Sequence, residues 1–309
     1  TRLDLVAIVE AFSGSAMLDE PLAPYSRAGV GGPADLLLVA ESCDELVEAL
    51  RLVRAVEVPW RIYGGLTNIL LPDSGLRGVV ILNHARHVFF DKETHQVRAE
   101  SGAVVVRVAR RAVHKGWGGL TWAVGLPGTI GGAVVNNAGA FGGDIARVLL
   151  SSEVIGADGE IARVPADWFD FRYRCSKLKG AGAQWLVLDA VFQLKPRDPD
   201  HLAAKAAEYT ARRKRTQPPG MTLGSTFKNP EGDYAGRLIE SVGLKGAREG
   251  GVVISEQHAN FFINEGEGRA ADYRALIERT QRAVSEAHGV WLEPEIEMLP
   301  EEPRDGALS

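Results

Sequence analysis

The chain has 309 residues, of which 45% are hydrophobic and 24% charged, and this composition is typical of a folded globular protein. At roughly 150 residues per domain, the length suggests about two domains. The 35 basic and 40 acidic side chains leave a formal charge of -5, so the chain lacks the basic surplus typical of nucleic-acid-binding proteins, and we expect no nucleic-acid partner.

The two cysteines, Cys43 and Cys175, lie far apart and form no CxxC pair. This spacing excludes a disulfide scaffold or a cysteine-rich zinc module and fits a reducing compartment. The longest apolar stretches have the length of strands, well short of the ~18 residues of a membrane helix. The first helical segment, residues 3–10, carries acids and no basic leader. We therefore expect a soluble, cytoplasmic protein with no membrane partner.

The first predicted unit is a small α/β unit over about residues 20–83. A buried strand at 34–39 precedes a helix that begins at Ser42, where a glutamate three positions later gives capping-box spacing. Strands at 60–63 and 78–82 complete the unit.

The second and third units also mix helices and strands. The second has strands at 88–90, 96–99, 153–155 and 185–188, a helix at 103–115, and a polar segment at 195–199 that is typical of a linker. The third has helices at 202–215, 234–242 and 270–287 and strands at 252–254, 260–263 and 290–296. The pattern indicates mixed α and β structure in three compact units.

A glycine turn follows the strand at 60–63. Its sequence is Tyr63-Gly64-Gly65-Leu66-Thr67-Asn68-Ile69. Consecutive backbone N–H groups in such a turn form an anion-binding nest suited to a phosphate. From these residues alone, an ordinary hairpin turn is an equal alternative. No Walker loop and no GxGxxG after a strand occurs in the sequence.

A second segment is unusually dense in glycine. Of the 35 glycines, nine fall between positions 118 and 143, in sequence that is almost free of charge. Glycine costs backbone entropy, and this density argues against a regular core element. The physical interpretation is bare backbone packed against a large flat ligand with a diphosphate, and the alternative is a tightly packed loop core.

These segments, together with others in fixed order, resemble the UDP-N-acetylenolpyruvoylglucosamine reductase (MurB) family. The matching blocks are Val30-Gly31-Gly32-Pro33-Ala34-Asp35, Gly64-Gly65-x-Thr67-Asn68, 125–132, 137–142, 171–176, 224–230, 235–240, 243–246, Ser255-Glu256-x-His258-Ala259-Asn260-Phe261 and 292–295. Three departures are visible: Leu66 stands where the family has a third glycine, Thr67 where it has serine, and Ala28-Gly29 where it has an aromatic-basic pair. Between Ser176 and Trp185 there is no room for a substrate-capping tyrosine loop, so the chain resembles the shorter type II form.

The resemblance implies an α+β fold with a two-part FAD-binding region of the PCMH/vanillyl-alcohol-oxidase type and a C-terminal α+β substrate domain. The implied domains are 1–83 and 84–197 for the two FAD-binding subdomains, 198–290 for the substrate domain, and 291–309 for a return strand and tail. It also implies a monomer that takes part in peptidoglycan synthesis, and with it in cell shape and division.

The implied reaction is the FAD-dependent reduction of UDP-N-acetylglucosamine enolpyruvate to UDP-N-acetylmuramate. NADPH is the co-substrate, and the FAD is held non-covalently. The residues that the resemblance assigns to the cofactor are Tyr63, Gly64, Gly65, Leu66, Thr67, Asn68, Ile69, Pro127, Gly128, Gly132, Asn137, Gly139, Ala140 and Phe141.

Three residues match the family's catalytic groups. Hydride addition to the terminal alkene carbon places negative charge on the neighbouring carbon and its carboxylate, so the site needs a cation and a proton donor. Arg174 matches the arginine, whose guanidinium suits a carboxylate. Glu295 matches a glutamate that can hydrogen-bond the developing enolic acid, and Ser225 matches the proton donor. Without the resemblance, a surface ion pair, a turn residue and a strand-end charge are the ordinary interpretations.

Other residues are candidates for the nucleotide-sugar. Either Lys214 or Arg215, in the dense basic run at 212–215, matches a basic residue that meets the diphosphate; complementing the helix dipole is the ordinary alternative. The remaining candidates are Tyr173, Lys228, Asn229 and Arg237. The histidines show no paired metal spacing, and we expect no metal.

Two other functions compete with this one. Another enzyme of the same flavin-binding superfamily would lack the set Ser225, Arg174 and Glu295. A non-catalytic nucleotide-binding or regulatory protein of the same fold would bind ligand without NADPH turnover.

Overall fold

The structure is a computed structural model that describes residues 1–179 and 185–302. The chain divides into two compact units: the first contains Thr1–Met17, Leu37–Gly65 and Val79–Arg212, and the second contains Leu18–Leu36, Leu66–Gly78 and Arg213–Ser309. The domain boundaries expected from the resemblance stay predictions. The segment expected to be too short for a tyrosine loop lies partly outside the described residues, and the tail after residue 302 lies wholly outside them.

The helices follow the predicted order along the chain. The α-helices are α1 Arg2–Ala11, α2 Cys43–Ala55, α3 Val105–His114, α4 Ile130–Val135, α5 Pro199–Thr216, α6 Ala235–Ser241 and α7 Ala270–His288. Short 3-10 helices span Ala23–Tyr25, Thr121–Ala123 and Ala166–Phe169. The predicted start of α2 is confirmed, because the Ser42 side chain accepts a hydrogen bond from Glu45 N at 3.2 Å. The Glu45 carboxylate accepts from Glu41 N, one residue before the expected partner.

The strands are mostly short. They are β1 Ser15–Pro21, β2 Pro33–Ala40, β3 Trp60–Tyr63, β4 Ile69–Leu70, β5 Leu76–Asn83, β6 Val88–Asp91, β7 Gln96–Glu100, β8 Trp117–Gly118, β9 Gly139–Ala140, β10 Gly143–Asp144, β11 Leu149–Ile155, β12 Ile161–Pro165, β13 Leu186–Gln193, β14 Lys195–Pro196, β15 Arg248–Glu249, β16 Val252–Ile254, β17 Phe262–Asn264 and β18 Glu297–Met298. A four-stranded sheet has the order β1-β2-β5-β3, in which β3 and β5 run parallel.

The first unit has its core between an antiparallel sheet and two helices. The sheet has the order β12-β11-β13-β7-β6. Valines on one face of α3, Val105 and Val108, pack with Ile130 and Val134 of α4 and with inward residues of the sheet such as Phe192. Because the apolar residues of α3 recur every three to four positions, they form one stripe and bury together.

The second unit has a separate core. Its sheet, β15-β16-β17, packs with α6 and α7, and the buried side chains include Phe227, Leu238, Ile254 and Leu276. Tyr273 of α7 lies in this core at 1% exposure, and burial raises the pKa of its hydroxyl. The core holds the segment around Phe227, which carries candidate site residues.

A remote aspartate completes the N-terminus of α7. Asp73 lies shortly after β4, and its carboxylate accepts hydrogen bonds from Ala270 N at 2.8 Å and Ala271 N at 3.0 Å. The carboxylate of Glu301 in turn accepts from Asp73 N and Ser74 N, at 3.1 and 2.9 Å. These bonds tie the segment after the glycine turn to α7 and to the end of the described chain.

Three sequence predictions were wrong. The glycine-dense segment contains a regular element, α4, because Gly131 lets the helix approach closely: a Cβ there would lie 2.9 Å from Ser101 Cβ. The second error is the linker expected at 195–199, which contains β14. This strand pairs with β8 through backbone groups, and because both its side chains are exposed its composition is as polar as that of a loop.

The third error concerns the strand expected at 290–296. Pro294, which has no backbone N–H, forms only an isolated bridge with Phe227, and regular pairing resumes at β18, which runs parallel to β4. Among the described residues, no helix is both long and apolar enough to cross a membrane.

We expect Asp73→Ala to lower the free energy of unfolding by about 1–2 kcal/mol, because two N–H groups of α7 lose their acceptor. The control is Asp44→Ala, which removes a first-turn charge of α2 worth ~0.3–1 kcal/mol through the helix dipole. Urea unfolding of both variants checks the prediction, and a smaller loss for Asp73→Ala than for Asp44→Ala would contradict it.

Candidate active site

The glycine turn begins where β3 ends, at Tyr63. Gly64 lies directly against Thr129, the N-cap residue of α4, and a Cβ on Gly64 would lie 2.1 Å from Thr129 Oγ1. Glycine at position 64 is therefore required for the turn to approach the glycine-dense segment. Both predicted cofactor segments of the first unit, the turn and the start of α4, meet at this contact.

The other half of the turn has a strained residue. Leu66, at the position where the family has glycine, has φ of 45° and is 3% exposed. A left-handed backbone costs a non-glycine residue ~1–2 kcal/mol, which explains why glycine is usual there. Burial of a leucine side chain stabilises by ~1.5–3 kcal/mol and offsets that cost. The departure at Leu66 is thus compatible with the same backbone turn.

Several glycines of the dense segment pack against the protein itself. A Cβ on Gly139 would lie 2.7 Å from Gly143 O, and one on Gly143 would lie 2.2 Å from Trp122 Cδ1. These two glycines allow β9 and β10 to pair beside Trp122. Their presence follows from packing, as the loop-core alternative expects.

Gly132 differs from these glycines because no atom of the described residues requires it to be glycine, and this fits a bound FAD. It lies inside α4, where a Cβ would make ordinary contact with Thr129 Oγ1 at 3.6 Å. The described residues leave room for an alanine side chain at position 132. Glycine nevertheless occupies this position, although it destabilises a helix by ~0.5–1 kcal/mol relative to alanine. Close approach of a ligand to the bare backbone explains the glycine, while Pro127 and Gly128, with φ of 105° at Gly128, lead into the helix.

Strained backbone recurs at the predicted site residues. Four of them have positive φ without being glycine: Leu66 at 45°, Asn137 at 41°, Phe141 at 50° and Arg174 at 54°. Such conformations persist only where the surrounding structure holds them, and they concentrate at functional sites. Phe141 also stacks on Tyr209 of α5, with ring centroids 4.4 Å apart and planes 2° from parallel.

Arg174 lies in a tight turn that is attached to the glycine-dense segment. The backbones of Arg172 and Cys175 exchange hydrogen bonds across this turn, at 2.9 and 3.1 Å. Asn137 Nδ2 donates to Arg172 O at 3.0 Å, and Ser176 Oγ donates to Val135 O at 2.7 Å. The end of α4 therefore positions the turn of Arg174. The neighbouring Tyr173 is 63% exposed.

Ser225 and Glu295 lie on two segments that pair in the second unit. Glu295 N donates to Thr226 O at 2.8 Å, and Lys228 N donates to Glu293 O at 2.9 Å. Ser225 precedes Thr226 and bridges to Phe261 on its other side. The structure thus brings together two of the three predicted catalytic residues. Arg174 belongs to the first unit.

Asn260 is a positioning residue that the sequence analysis did not single out. Its Oδ1 accepts from Phe227 N at 2.9 Å, and its Nδ2 donates to Phe227 O at 2.8 Å. Thr226 N also donates to Asn260 O, at 2.8 Å. Asn260 is 3% exposed and so holds the Ser225 segment from inside the fold. A polar residue directly before the apolar run Phe261-Phe262-Ile263 was the available signal.

The weaker substrate candidates each have a partner in the structure. The Lys228 ammonium pairs with the Glu293 carboxylate. Asn229 Oδ1 accepts from Ala235 N at 3.1 Å at the start of α6. The exposed Arg237 pairs with Asp233, and this hydrogen bond from the guanidinium lowers the pKa of the Asp233 carboxyl to about 2. Their substrate roles stay predictions.

The end of α5 carries the basic candidates Lys214 and Arg215. Gln257 Nε2 donates to Lys214 O at 3.3 Å, Arg215 O at 3.0 Å and Gln217 O at 3.3 Å. One side-chain amide therefore meets carbonyls that the helix end leaves without intrahelical partners. Gln257 fixes where the helix end lies, although the choice between Lys214 and Arg215 stays open.

Two family models match this chain, one over the two glycine segments and one over the segments of Ser225 and Glu295. Residues 216–299 match the family described as the C-terminal domain of UDP-N-acetylenolpyruvoylglucosamine reductase, and residues 34–165 match the FAD binding domain family. Relatives with the reductase name include those of Rubrobacter xylanophilus, 41% identical over 93% of this chain and 96% of the relative, and Caldicellulosiruptor saccharolyticus, 40% identical over 92% and 91%.

A solved structure is also similar over almost its whole length. The reductase MurB of Thermus caldophilus is 34% identical, with a TM-score of 0.78 over 93% of this chain and 99% of that one. The predicted α+β fold and FAD-binding region are confirmed by these matches. The role of each site residue is not tested by them and stays a prediction.

We expect Gly64→Ala to weaken FAD binding about 10–100-fold, because a Cβ that overlaps Thr129 must displace the turn that would hold FAD. In the double variant Gly64→Ala/Thr129→Ala, the clashing Oγ1 is removed and binding should recover in part. Absorbance titration of the apoprotein with FAD measures this, with Thr129→Ala alone as control. Unchanged FAD affinity in the single Gly64→Ala variant would contradict the close contact.

We expect Asn260→Ala to lower the free energy of unfolding by about 2–4 kcal/mol, because two buried backbone groups of Phe227 lose their partners. Asn229→Ala is the matched control, and loss of one exposed helix-cap acceptor should cost ~1 kcal/mol. Equal urea midpoints for the two variants would show that Asn260 does not hold the Ser225 segment.

Proposed function

We propose a reaction for this chain, which belongs to the UDP-N-acetylenolpyruvoylglucosamine reductase family. The chain reduces UDP-N-acetylglucosamine enolpyruvate to UDP-N-acetylmuramate, with NADPH as the source of electrons. It is an oxidoreductase with an FAD-binding domain. The proposal extends to peptidoglycan precursor synthesis in the cytoplasm, as a monomer, and through it to cell shape and division.

The cofactor residues of the proposal are those around the Gly64–Thr129 contact and along α4. The glycine turn from Tyr63 to Ile69 and the segment with Gly128, Gly132 and Asn137 would hold FAD, which supplies hydride acceptor and donor chemistry when bound. Gly139, Ala140 and Phe141 would complete its surroundings. The room beside Gly132 supports this assignment.

The single observation that carries the catalytic part is the pairing of the Ser225 and Glu295 segments. The product gains a hydride on the terminal alkene carbon and a proton on its neighbour. We assign the proton to the Ser225 hydroxyl, and we assign to Glu295 a hydrogen bond to the developing enolic acid. Glu295 N donating to Thr226 O at 2.8 Å supports their action on neighbouring atoms of one substrate.

Arg174 is assigned to the substrate carboxylate. Its guanidinium can form two parallel hydrogen bonds with a carboxylate and stabilise charge that moves onto it during reduction. The left-handed backbone at Arg174 and the side-chain bonds of Asn137 and Ser176 that fix its turn support a site that is held in place before substrate arrives.

The nucleotide part of the substrate is assigned to the remaining polar candidates. Lys214 or Arg215 would meet the diphosphate, and the anchoring of that helix end by Gln257 supports a fixed cation there. The other proposed contacts are Tyr173, Lys228, Asn229 and Arg237.

The experiment that tests the function is an anaerobic absorption titration of the purified protein. Flavin bands should bleach after NADPH is added and return after the enolpyruvyl UDP-sugar is added. Bands that bleach but do not return would favour another flavoenzyme of the superfamily. Binding of nucleotide without bleaching would favour a non-catalytic protein, and failure to bind FAD would contradict the proposal from its first step.

We expect Ser225→Ala to retain flavin and its reduction by NADPH but to slow reoxidation by substrate about 10²–10⁴-fold, because the proton donor is lost. Ser241→Ala is the control, since its hydroxyl donates to Leu238 O within α6 and should leave reoxidation unchanged. Rapid mixing of reduced enzyme with substrate measures the rate. Wild-type reoxidation in Ser225→Ala would refute its assignment as proton donor.

A further inference from the structure

The segment that carries Glu295 is hydrogen-bonded on two sides. Its N–H group donates to Thr226 O, as described above, and its C=O accepts from Asn68 Nδ2 at 3.1 Å. These are the two peptide groups that flank the Cα of Glu295. Because their orientations define φ and ψ at that residue, the two bonds together fix the direction in which its Cβ points.

Asn68 joins this segment through its backbone as well. Its carbonyl accepts from Glu297 N at 2.9 Å, and the next residues, Ile69 and Leu70, pair in parallel with Glu297 and Met298. The side-chain amide therefore adds one further bond at the end of a two-residue ladder. The Asn68 side chain thus donates to Glu295 O the hydrogen bond that a backbone N–H would donate if the strand pairing were longer.

We propose that Asn68 is a positioning residue for Glu295 in the reduction of substrate. Its side chain bonds to the backbone carbonyl of Glu295 and so positions the carboxylate that would meet the substrate. The resemblance, in contrast, assigns Asn68 to the cofactor. The link runs from the turn that follows the cofactor glycines, through one amide, to the residue proposed to hydrogen-bond the enolic acid. This role rests on the proposed function of Glu295.

The expected defect follows from which peptide group is released. Without the Asn68 amide, the Glu295 N–H stays bonded to Thr226 but the C=O loses this donor. One of the two peptide groups that hold the Cα of Glu295 is then released, and the residue can shift. Misplacement of a reacting group by ~1 Å can cost ~10²-fold in rate. Reduction of the flavin by NADPH does not use Glu295 in the proposed mechanism and should be unaffected.

Two variants separate the hydrogen bond from the shape of the side chain. Asn68→Ala removes both, and the isosteric Asn68→Asp keeps the shape but replaces the donor by an acceptor opposite a carbonyl. The matched control is Gln281→Ala: Gln281 Nε2 donates to Leu292 O at 2.9 Å, in the same segment three residues before Glu295. Loss of general anchoring should affect all three variants alike.

The measurements are FAD affinity, the rate of flavin reduction by NADPH, and reoxidation by the enolpyruvyl UDP-sugar resolved into substrate Kd and limiting rate. In both Asn68 variants we expect the limiting reoxidation rate to fall about 10–100-fold. FAD affinity, flavin reduction and substrate Kd should stay close to wild type, because both variants keep the backbone N–H groups through which the turn would hold FAD. Gln281→Ala should reoxidise like wild type.

Each other result has a distinct meaning. Loss of FAD binding in Asn68→Ala would assign the side chain to the cofactor and overturn the inference, as would wild-type reoxidation in both Asn68 variants. An equal slowing in Gln281→Ala would reduce Asn68 to a general anchor. If wild-type reduced flavin is not reoxidised at all by the enolpyruvyl sugar, the proposed function itself fails, and the role of Asn68 in it fails too.

Discussion

The hydrogen bonds that hold residues 293–299 between two other segments are the constraint on which the placement of Ser225 and Glu295 depends. On one side the segment bonds to the strand-like stretch at 226–228, and on the other it pairs with β4. Both pairings use mainly backbone groups, so the position of Glu295 is set by the backbone bonds of its segment. Asn260 and Asp73 hold the two flanking segments in turn, so the polar side chains here mainly support backbone geometry.

Elements with a strong hydrophobic period could be predicted from the sequence, and those that depend on a distant partner could not. The helices α2, α3 and α7 bury one face each, and the longer strands β2 and β5 are buried along almost their whole length, so their apolar patterns are visible locally. In contrast, β14 and β18 are two-residue strands defined by backbone pairing with β8 and β4. The helix α4 was not predicted because glycine generally destabilises helices. At position 131, however, glycine is needed because a Cβ there would overlap Ser101.

Two glycine segments of the candidate site could be located from the sequence, because there the residue type itself is the signal. The turn at Gly64 and the glycine-dense segment could be found because positions that exclude a Cβ require glycine. The sequence could not show that Leu66 and Phe141 adopt the same left-handed backbone, because nothing in a leucine or phenylalanine marks it. Nor could it show that Asn68 bonds to Glu295, since the two lie 227 positions apart.

That separation has a consequence for how the chain acquires its site. Closing a loop of this length carries an entropic cost, and contacts between distant residues slow folding. During synthesis, the turn at Asn68 leaves the ribosome long before its partner strand exists, and the FAD-binding family region at 34–165, which includes this turn, is also complete before that strand. A nascent chain can therefore fold around its glycine-dense segment while the strand that pairs with β4 is missing, and reductase activity should be the last property to appear.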